Sequence, residues 1–266
     1  MYNVIAQQRG IVKHFEKIDN FRDIGGLKNQ DGRTIKTGIL FRSEDPSKCS
    51  RTDLDELQQF NFKLICDLRG PNERKSKVVQ LNDNYNVHSI NVPIQQNDQD
   101  YTQFEFFKLM MRTARVIDFE TMMKDFYHRI AFESMSQIRD VITLLSEREN
   151  MPALIHCTGG KDRTGMMVAL IQLLVGVRRE DVLEDYLLSN ILTGVRMKKA
   201  ATFIRYMSLF QISNERLKPL LEVRRDYLED ALAEIFNQYE TIEAYLTHAC
   251  GISEVSLEKL RELLLE

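Results

Sequence analysis

The chain has 266 residues, 43% of them hydrophobic and 28% charged, which supplies ample apolar material for a buried core. Its net charge of −3 excludes a global basic field that would draw in nucleic acid or an anionic membrane, although a local basic pocket stays open. Cys49, Cys66, Cys157 and Cys250 are widely spaced with no CxxC pair, which excludes a disulfide framework or a zinc pattern and points to a reducing compartment.

In chain order, residues 1–17 lack the apolar stretch of a secretory signal. No apolar run approaches the ~18 residues needed to span a bilayer. The expectation is a cytoplasmic protein without a transmembrane segment, with export by another route left open. Gly25-Gly26 and Asp31-Gly32 are turn signals. Short apolar runs at 37–43, 62–68, 86–93 and 153–157 predict strands, and buried parallel strands need not alternate. The run from Thr52 to Phe60 predicts a helix. The stretch 101–149 has no Gly or Pro and is rich in Met and Phe; it predicts two or three helices. Beyond 163 the chain reads as helical, with breaks near Gly176, Gly194, Ser213-Asn214, Pro219 and Gly251. Low-complexity segments, linkers and repeats are missing, so one domain is expected over 1–266. The pattern predicts an α/β fold with a mostly parallel sheet of about four strands flanked by helices, and a helical C-terminal half.

The chemistry concentrates in Leu154-Ile155-His156-Cys157-Thr158-Gly159-Gly160-Lys161-Asp162-Arg163-Thr164-Gly165. A strand leads into Cys157, two glycines follow, and a helix is predicted to begin near Arg163. Glycines let the backbone curl so that successive N–H groups point inward. The helix start adds unpaired donors and partial positive charge. Together Thr158, Gly159, Gly160, Lys161, Asp162, Arg163 and Thr164 form a candidate phosphate-binding loop. The Arg163 fork matches two phosphate oxygens better than a lysine would. The same field favours an ionised, nucleophilic Cys157. Such a sulfur attacks phosphorus in line, and water then hydrolyses the phosphocysteine. Arg163 and the loop amides would stabilise the equatorial oxygens. Thr164 is placed to hydrogen-bond the departing thiolate, and His156 to order the loop rather than act as a base. This chemistry needs no metal or organic cofactor. Among the four cysteines only Cys157 has an arginine six residues on. A Walker loop would need Ser or Thr after Gly160-Lys161, where Asp162 stands.

The segment His156-Cys157-x-x-Gly160-Lys161-Asp162-Arg163-Thr164-Gly165 resembles the Cys-based protein tyrosine phosphatase superfamily. It looks most like the bacterial branch with dual-specificity and phosphoinositide phosphatase activity, the type secreted by mycobacteria and listeriae. Further motifs agree in order: Asn20-Phe21-Arg22-Asp23-Ile24-Gly25-Gly26 with Asp31-Gly32-Arg33, then Phe41-Arg42-Ser43, then Asp67-Leu68-Arg69 with Glu73. Asp185 to Asn190 and the Tyr227-Leu228 and Tyr245-Leu246 segments resemble the C-terminal helices of that branch. The resemblance implies a tyrosine phosphatase fold and a phosphorylated protein or phosphoinositide as substrate. It also implies a helical insertion near 101–135 that could cover the site, where Met110, Met111, Met122 and Met123 would suit a mobile cover. Two general acids compete. Asp162 occupies the position thought to serve in lipid phosphatases with a similar loop, and Asp98, with Asp100 close by, follows the strand ending at Val92-Pro93. Asp67, Arg69 and Arg42 are expected to buttress the loop. A non-catalytic phosphate-binding module is disfavoured because Cys157 and Arg163 are both present. Rhodanese-like sulfur transfer also uses a loop cysteine but normally lacks the Arg-Thr-Gly entry to the helix. Oligomeric state is not legible.

Overall fold

The computed structural model describes residues 12–74, 87–94 and 118–266. Among these residues the sheet has five strands, β1 (Arg22–Asp23), β2 (Leu40–Ser43), β3 (Leu64–Asp67), β4 (His88–Asn91) and β5 (Ala153–His156), in the order β1-β2-β5-β3-β4. All neighbours run parallel except β1, which pairs antiparallel with β2. The four expected strands are therefore present, and the sheet is α/β as expected. The two-residue β1 lies in a stretch that reads only as a turn; too short to carry a pattern, it exists because β2 offers it an edge.

Side chains alternate across the sheet, as a strand's period of two requires. Phe41, Ile65 and Leu154 point to one face, where they meet Phe21, Phe62 and Leu57 of helix α1 (Arg51–Gln58). The rings of Phe41 and Phe62 lie 5.3 Å apart edge-on, a favoured aromatic geometry. Leu40, Leu64, Cys66, Ala153 and Ile155 point to the other face and enter the main core. Helix α1 starts where Ser50 accepts from the Asp53 N–H and the Asp53 carboxylate accepts from the Ser50 N–H, a reciprocal cap. After β3 comes the short α2 (Pro71–Arg74).

The main core is built around α5 (Arg163–Leu174), which is apolar on every side and buried on nearly every residue. A helix of that kind must be covered all round. Helix α3 (Phe119–Phe132) packs beside it, and α4 (Met135–Leu145) packs on α3 and on the last helix; after α5 the chain continues through α6 (Arg179–Leu192), α7 (Gly194–Met207), α8 (Asn214–Leu221), α9 (Arg225–Tyr239) and α10 (Glu254–Leu264). Gly176 ends α5 at φ +84°, with its own N–H on Leu173 O and the Val177 N–H on Gln172 O, the bonding of a Schellman cap. Pro219, expected to break a helix, instead lies within the last turn of α8. The chain closes on itself, because the Lys36 N–H donates to Leu264 O and the Glu266 N–H to Thr34 O.

The expected insertion at 101–135 is only partly within the described residues. Its described part, α3, is a core helix: Met123, Phe126, Tyr127 and Ile130 are buried in the main cluster and Met122 packs against it. Met110 and Met111, like Asp98 and Asp100, lie outside the described residues.

Candidate functional site

The four parallel strands end level with one another: Ser43, Asp67 and Asn91 stand in register with or adjacent to His156. Ligand sites in such sheets sit outside the carboxyl ends of the strands. The loop 157–162 leaves β5 there and enters α5, whose first residue is Arg163.

The loop is held from behind. Asn20 Nδ2 donates to Gly160 O at 2.8 Å and to Gly159 O at 3.3 Å, and Arg42 Nη2 donates to Gly160 O at 2.8 Å. Because the N–H of a trans peptide opposes its C=O, carbonyls drawn toward Asn20 and Arg42 turn the Gly160 and Lys161 N–H groups the other way. Among the described residues, no acceptor takes the N–H of Thr158, Gly159, Gly160, Lys161 or Asp162. Adjacent N–H groups left without an acceptor at a helix start are an arrangement suited to an anion. Gly160 is required twice: φ is +63°, and a Cβ would stand 2.2 Å from Ser43 O.

Asn20 and Arg42 are themselves fixed by a buried ion cluster. Asp185 of α6 takes Arg22 Nε at 3.0 Å and Arg42 Nη1 at 3.2 Å. Burial would push the Asp185 carboxyl up, but the two guanidiniums outweigh it and hold it below the ordinary aspartate range. Arg42 thus buttresses the loop, as expected. Arg22, Asn20 and Asp185 join it in a role that spacing alone did not assign.

Arg163 is buried and both terminal nitrogens are engaged. Nη1 and Nη2 reach the two Glu73 oxygens at 2.6 and 2.7 Å, and Nη1 also approaches Leu68 O and Ile94 O. Thr158 Oγ1 donates to the same Glu73 carboxylate. Arg163 Nε donates to none of the described residues. Burial works against both charges, yet the pairing prevails: Glu73 falls to about 2 and Arg163 rises above its ordinary value. Cys157 is 2% exposed, at the junction of β5 and the loop.

Asp162 accepts from Tyr127 Oη of α3 at 3.0 Å, and Tyr127 Oη meets Tyr186 Oη of α6 at 2.6 Å. Lys161 is not solvated. Its Nζ donates to Leu220 O on α8 at 3.0 Å and pairs with Asp162 at 3.3 Å. Thr164 is fully buried and its Oγ1 has no hydrogen-bond partner among the described residues. His156 is buried beside the end of β3, with Nε2 3.9 Å from Asp67 Oδ1. Burial lowers the His156 pKa below the ordinary histidine value, against the opposing pull of Asp67, which keeps the ring neutral at pH 7.

At the end of β3, Arg69 grips Asp67 through Nε at 2.9 Å and Nη2 at 2.8 Å, and Nη1 reaches Asp45. These ion pairs tie the end of β3 to Asp45, which follows β2. Sequence reasoning named Glu73 only as part of a motif and missed Tyr127. Glu73 carried a signal, a carboxylate four residues past Arg69 beyond a predicted strand. Tyr127 sits in a core helical pattern and carried none.

Among the described residues, no group of His, Cys, Asp or Glu is arranged to hold a metal ion. The sequence profile of the tyrosine phosphatase family matches residues 13–266. A Cupriavidus necator protein assigned by name to the tyrosine-protein phosphatases is 27% identical over 253 residues, covering 93% of this chain and 86% of that protein. The triple specificity protein phosphatase PtpB of Mycobacterium tuberculosis is 28% identical over 272 residues, covering 92% of this chain and 96% of that protein. The crystal structure of P. aeruginosa TpbA matches at 17% identity over 71% of this chain and 89% of that one, with a TM-score of 0.37, too low a likeness to add to the argument.

Proposed function

The chain belongs to the tyrosine phosphatase family, and from that premise we propose that it hydrolyses phosphate monoesters through a phosphocysteine on Cys157. The observation that supports the reading is the run of five N–H groups between Cys157 and Arg163 that meet no acceptor among the described residues, with Asn20 and Arg42 holding the loop carbonyls. Three equatorial phosphate oxygens need that many donors, and a rigid cup reorganises little as charge shifts in the transition state.

In this reading the Cys157 sulfur attacks phosphorus while the ester oxygen leaves opposite to it. The S–P bond forms as the P–O bond breaks, and the leaving oxygen takes a proton from an acid. Water then cleaves the S–P bond, releasing inorganic phosphate and restoring the sulfur. Arg163 supplies fixed positive charge beside the phosphate, and Glu73 fixes its orientation. Asp162 is the acid within the described residues, and its hydrogen bond from Tyr127 Oη gives it a set position. Asp98 and Asp100 remain the competing choice. Phosphotyrosine is the primary substrate class, with phosphoserine, phosphothreonine and phosphoinositides as further substrates; the mycobacterial relative's name states a triple specificity.

Cys157→Ser is expected to abolish p-nitrophenyl phosphate turnover while inorganic phosphate still binds, measured by calorimetry. Turnover at the wild-type rate would remove Cys157 from the chemistry.

A further inference from the structure

The segment 191–213, spanning α7 and the turn after it, contains four basic residues and no acidic one, in a chain whose net charge is −3. Ile204 and Ser208 bury the inner side of α7. The outer side is unusual for a chain surface. Phe203, Tyr206, Leu209 and Phe210 are 59%, 69%, 77% and 62% exposed. Leu209 and Phe210 follow the helix with φ of +50° and +62°, a left-handed turn that large side chains rarely adopt. That turn puts both side chains in solvent. Tyr206 and Phe210 pack edge-on at 5.8 Å, and the Arg205 guanidinium lies 5.3 Å from the Phe210 ring centroid, so the apolar group and a cation form one surface. Lys198 and Lys199 are exposed on the same helix, and neither forms an ion pair among the described residues.

Scattered apolar residues on a surface need no explanation, but a contiguous aromatic cluster does. Here it is interleaved with cations and its own segment has no acidic residue, while Glu215 and Glu222 line the groove beside Lys198. Aromatic and leucine side chains beside lysine and arginine, lying flat on the protein, are the composition that enters the boundary between headgroups and acyl chains. We infer that the outer face of α7 and the Leu209-Phe210 turn docks the protein on an anionic lipid bilayer. Charge complementarity selects that occupant: the cations attract anionic headgroups while the rings and Leu209 enter the acyl boundary. No helix among the described residues is long and apolar enough to cross a membrane, so the contact would be peripheral. The face also adjoins the candidate site. Arg196 in the first turn of α7 pairs with Glu44, next to the Ser43 carbonyl that faces Gly160, and Lys161 of the loop reaches α8. A docked molecule would therefore hold its loop near the membrane, whatever that loop does.

The test is sedimentation of the full chain with sucrose-loaded vesicles of phosphatidylcholine alone or with about one quarter phosphatidylserine. Binding to the anionic vesicles alone, weakened as salt rises, is expected. Lys198→Glu/Lys199→Glu and Phe203→Ser/Phe210→Ser should each lower it more than about tenfold, given about fivefold per cation, with unchanged circular dichroism and melting temperature. Equal binding by wild type and both variants would overturn the inference. So would wild-type binding to neutral vesicles as strong as to anionic ones. A third overturning result is no vesicle binding, with a dimer in size-exclusion chromatography that the aromatic variant abolishes, since the face would then serve a second copy. The readout is independent of catalysis, so its failure leaves the phosphatase reading intact.

Discussion

Glu73 decides how firmly Arg163 is held. A buried guanidinium without its carboxylate is an uncompensated charge, which costs about 3–5 kcal/mol. In Glu73→Gln the fork loses its ionic partner and the Arg163 donors drift. We expect kcat for p-nitrophenyl phosphate to fall about 10- to 100-fold, with a smaller change in KM. An unchanged kcat would show that Arg163 is positioned by something else. The acid side of the stability curve reports the same contact. Folding lowers Glu73 from the ordinary 4.5 to about 2. A carboxyl depressed on folding stabilises the native state above its unfolded value, and that contribution is lost as pH falls from about 4.5 toward about 2. Its size is on the order of 3 kcal/mol. Acid unfolding followed by circular dichroism should show a steeper loss in wild type than in Glu73→Gln over that window.

At the scale of elements, the loop's shape is imposed from outside it. Asn20 precedes β1, Arg42 lies on β2 and Asp185 on α6; the three meet only behind the loop. Asn20→Gly removes both hydrogen bonds to the loop carbonyls, and glycine tolerates the φ of +58° there without strain. Leaving a buried carbonyl short of a donor costs about 1–3 kcal/mol. The expected result is a comparable drop in unfolding free energy, with weaker phosphate binding because the amides are no longer aimed. Stability loss with full phosphate affinity would mean that the cup is rigid without Asn20. On the far side, α3 and α8 meet the loop through Tyr127 on Asp162 and Leu220 on Lys161. A helix read as part of an insertion is thus tied to the loop through its core-facing tyrosine.

For the whole molecule, one main buried cluster draws residues from Ile24 to Leu265. The backbone pairing of Lys36 with Leu264 and of Thr34 with Glu266 ties the last helix to the early turns. We expect thermal unfolding in a single transition seen alike by calorimetry and circular dichroism, with the calorimetric and van't Hoff enthalpies equal. Two resolved transitions would divide the chain into separate domains.

Much of this was determined by local sequence. Four strands were legible because buried parallel strands are short apolar runs between breakers, and α5 because its apolar residues continue all round. Cys157, Gly160 and Arg163 were legible because an anion loop needs those residue types at close spacing in one segment. Tertiary structure alone decided the rest. Glu73 meets Arg163 across 90 residues, Asp185 meets Arg22 across 163, and Tyr127 meets Asp162 across 35. No period or spacing records such meetings, because they depend on where the folded strands and helices set their ends. The exposed turn at Leu209-Phe210 is of the same kind. Leucine and phenylalanine are most often buried, yet a left-handed backbone places these two in solvent.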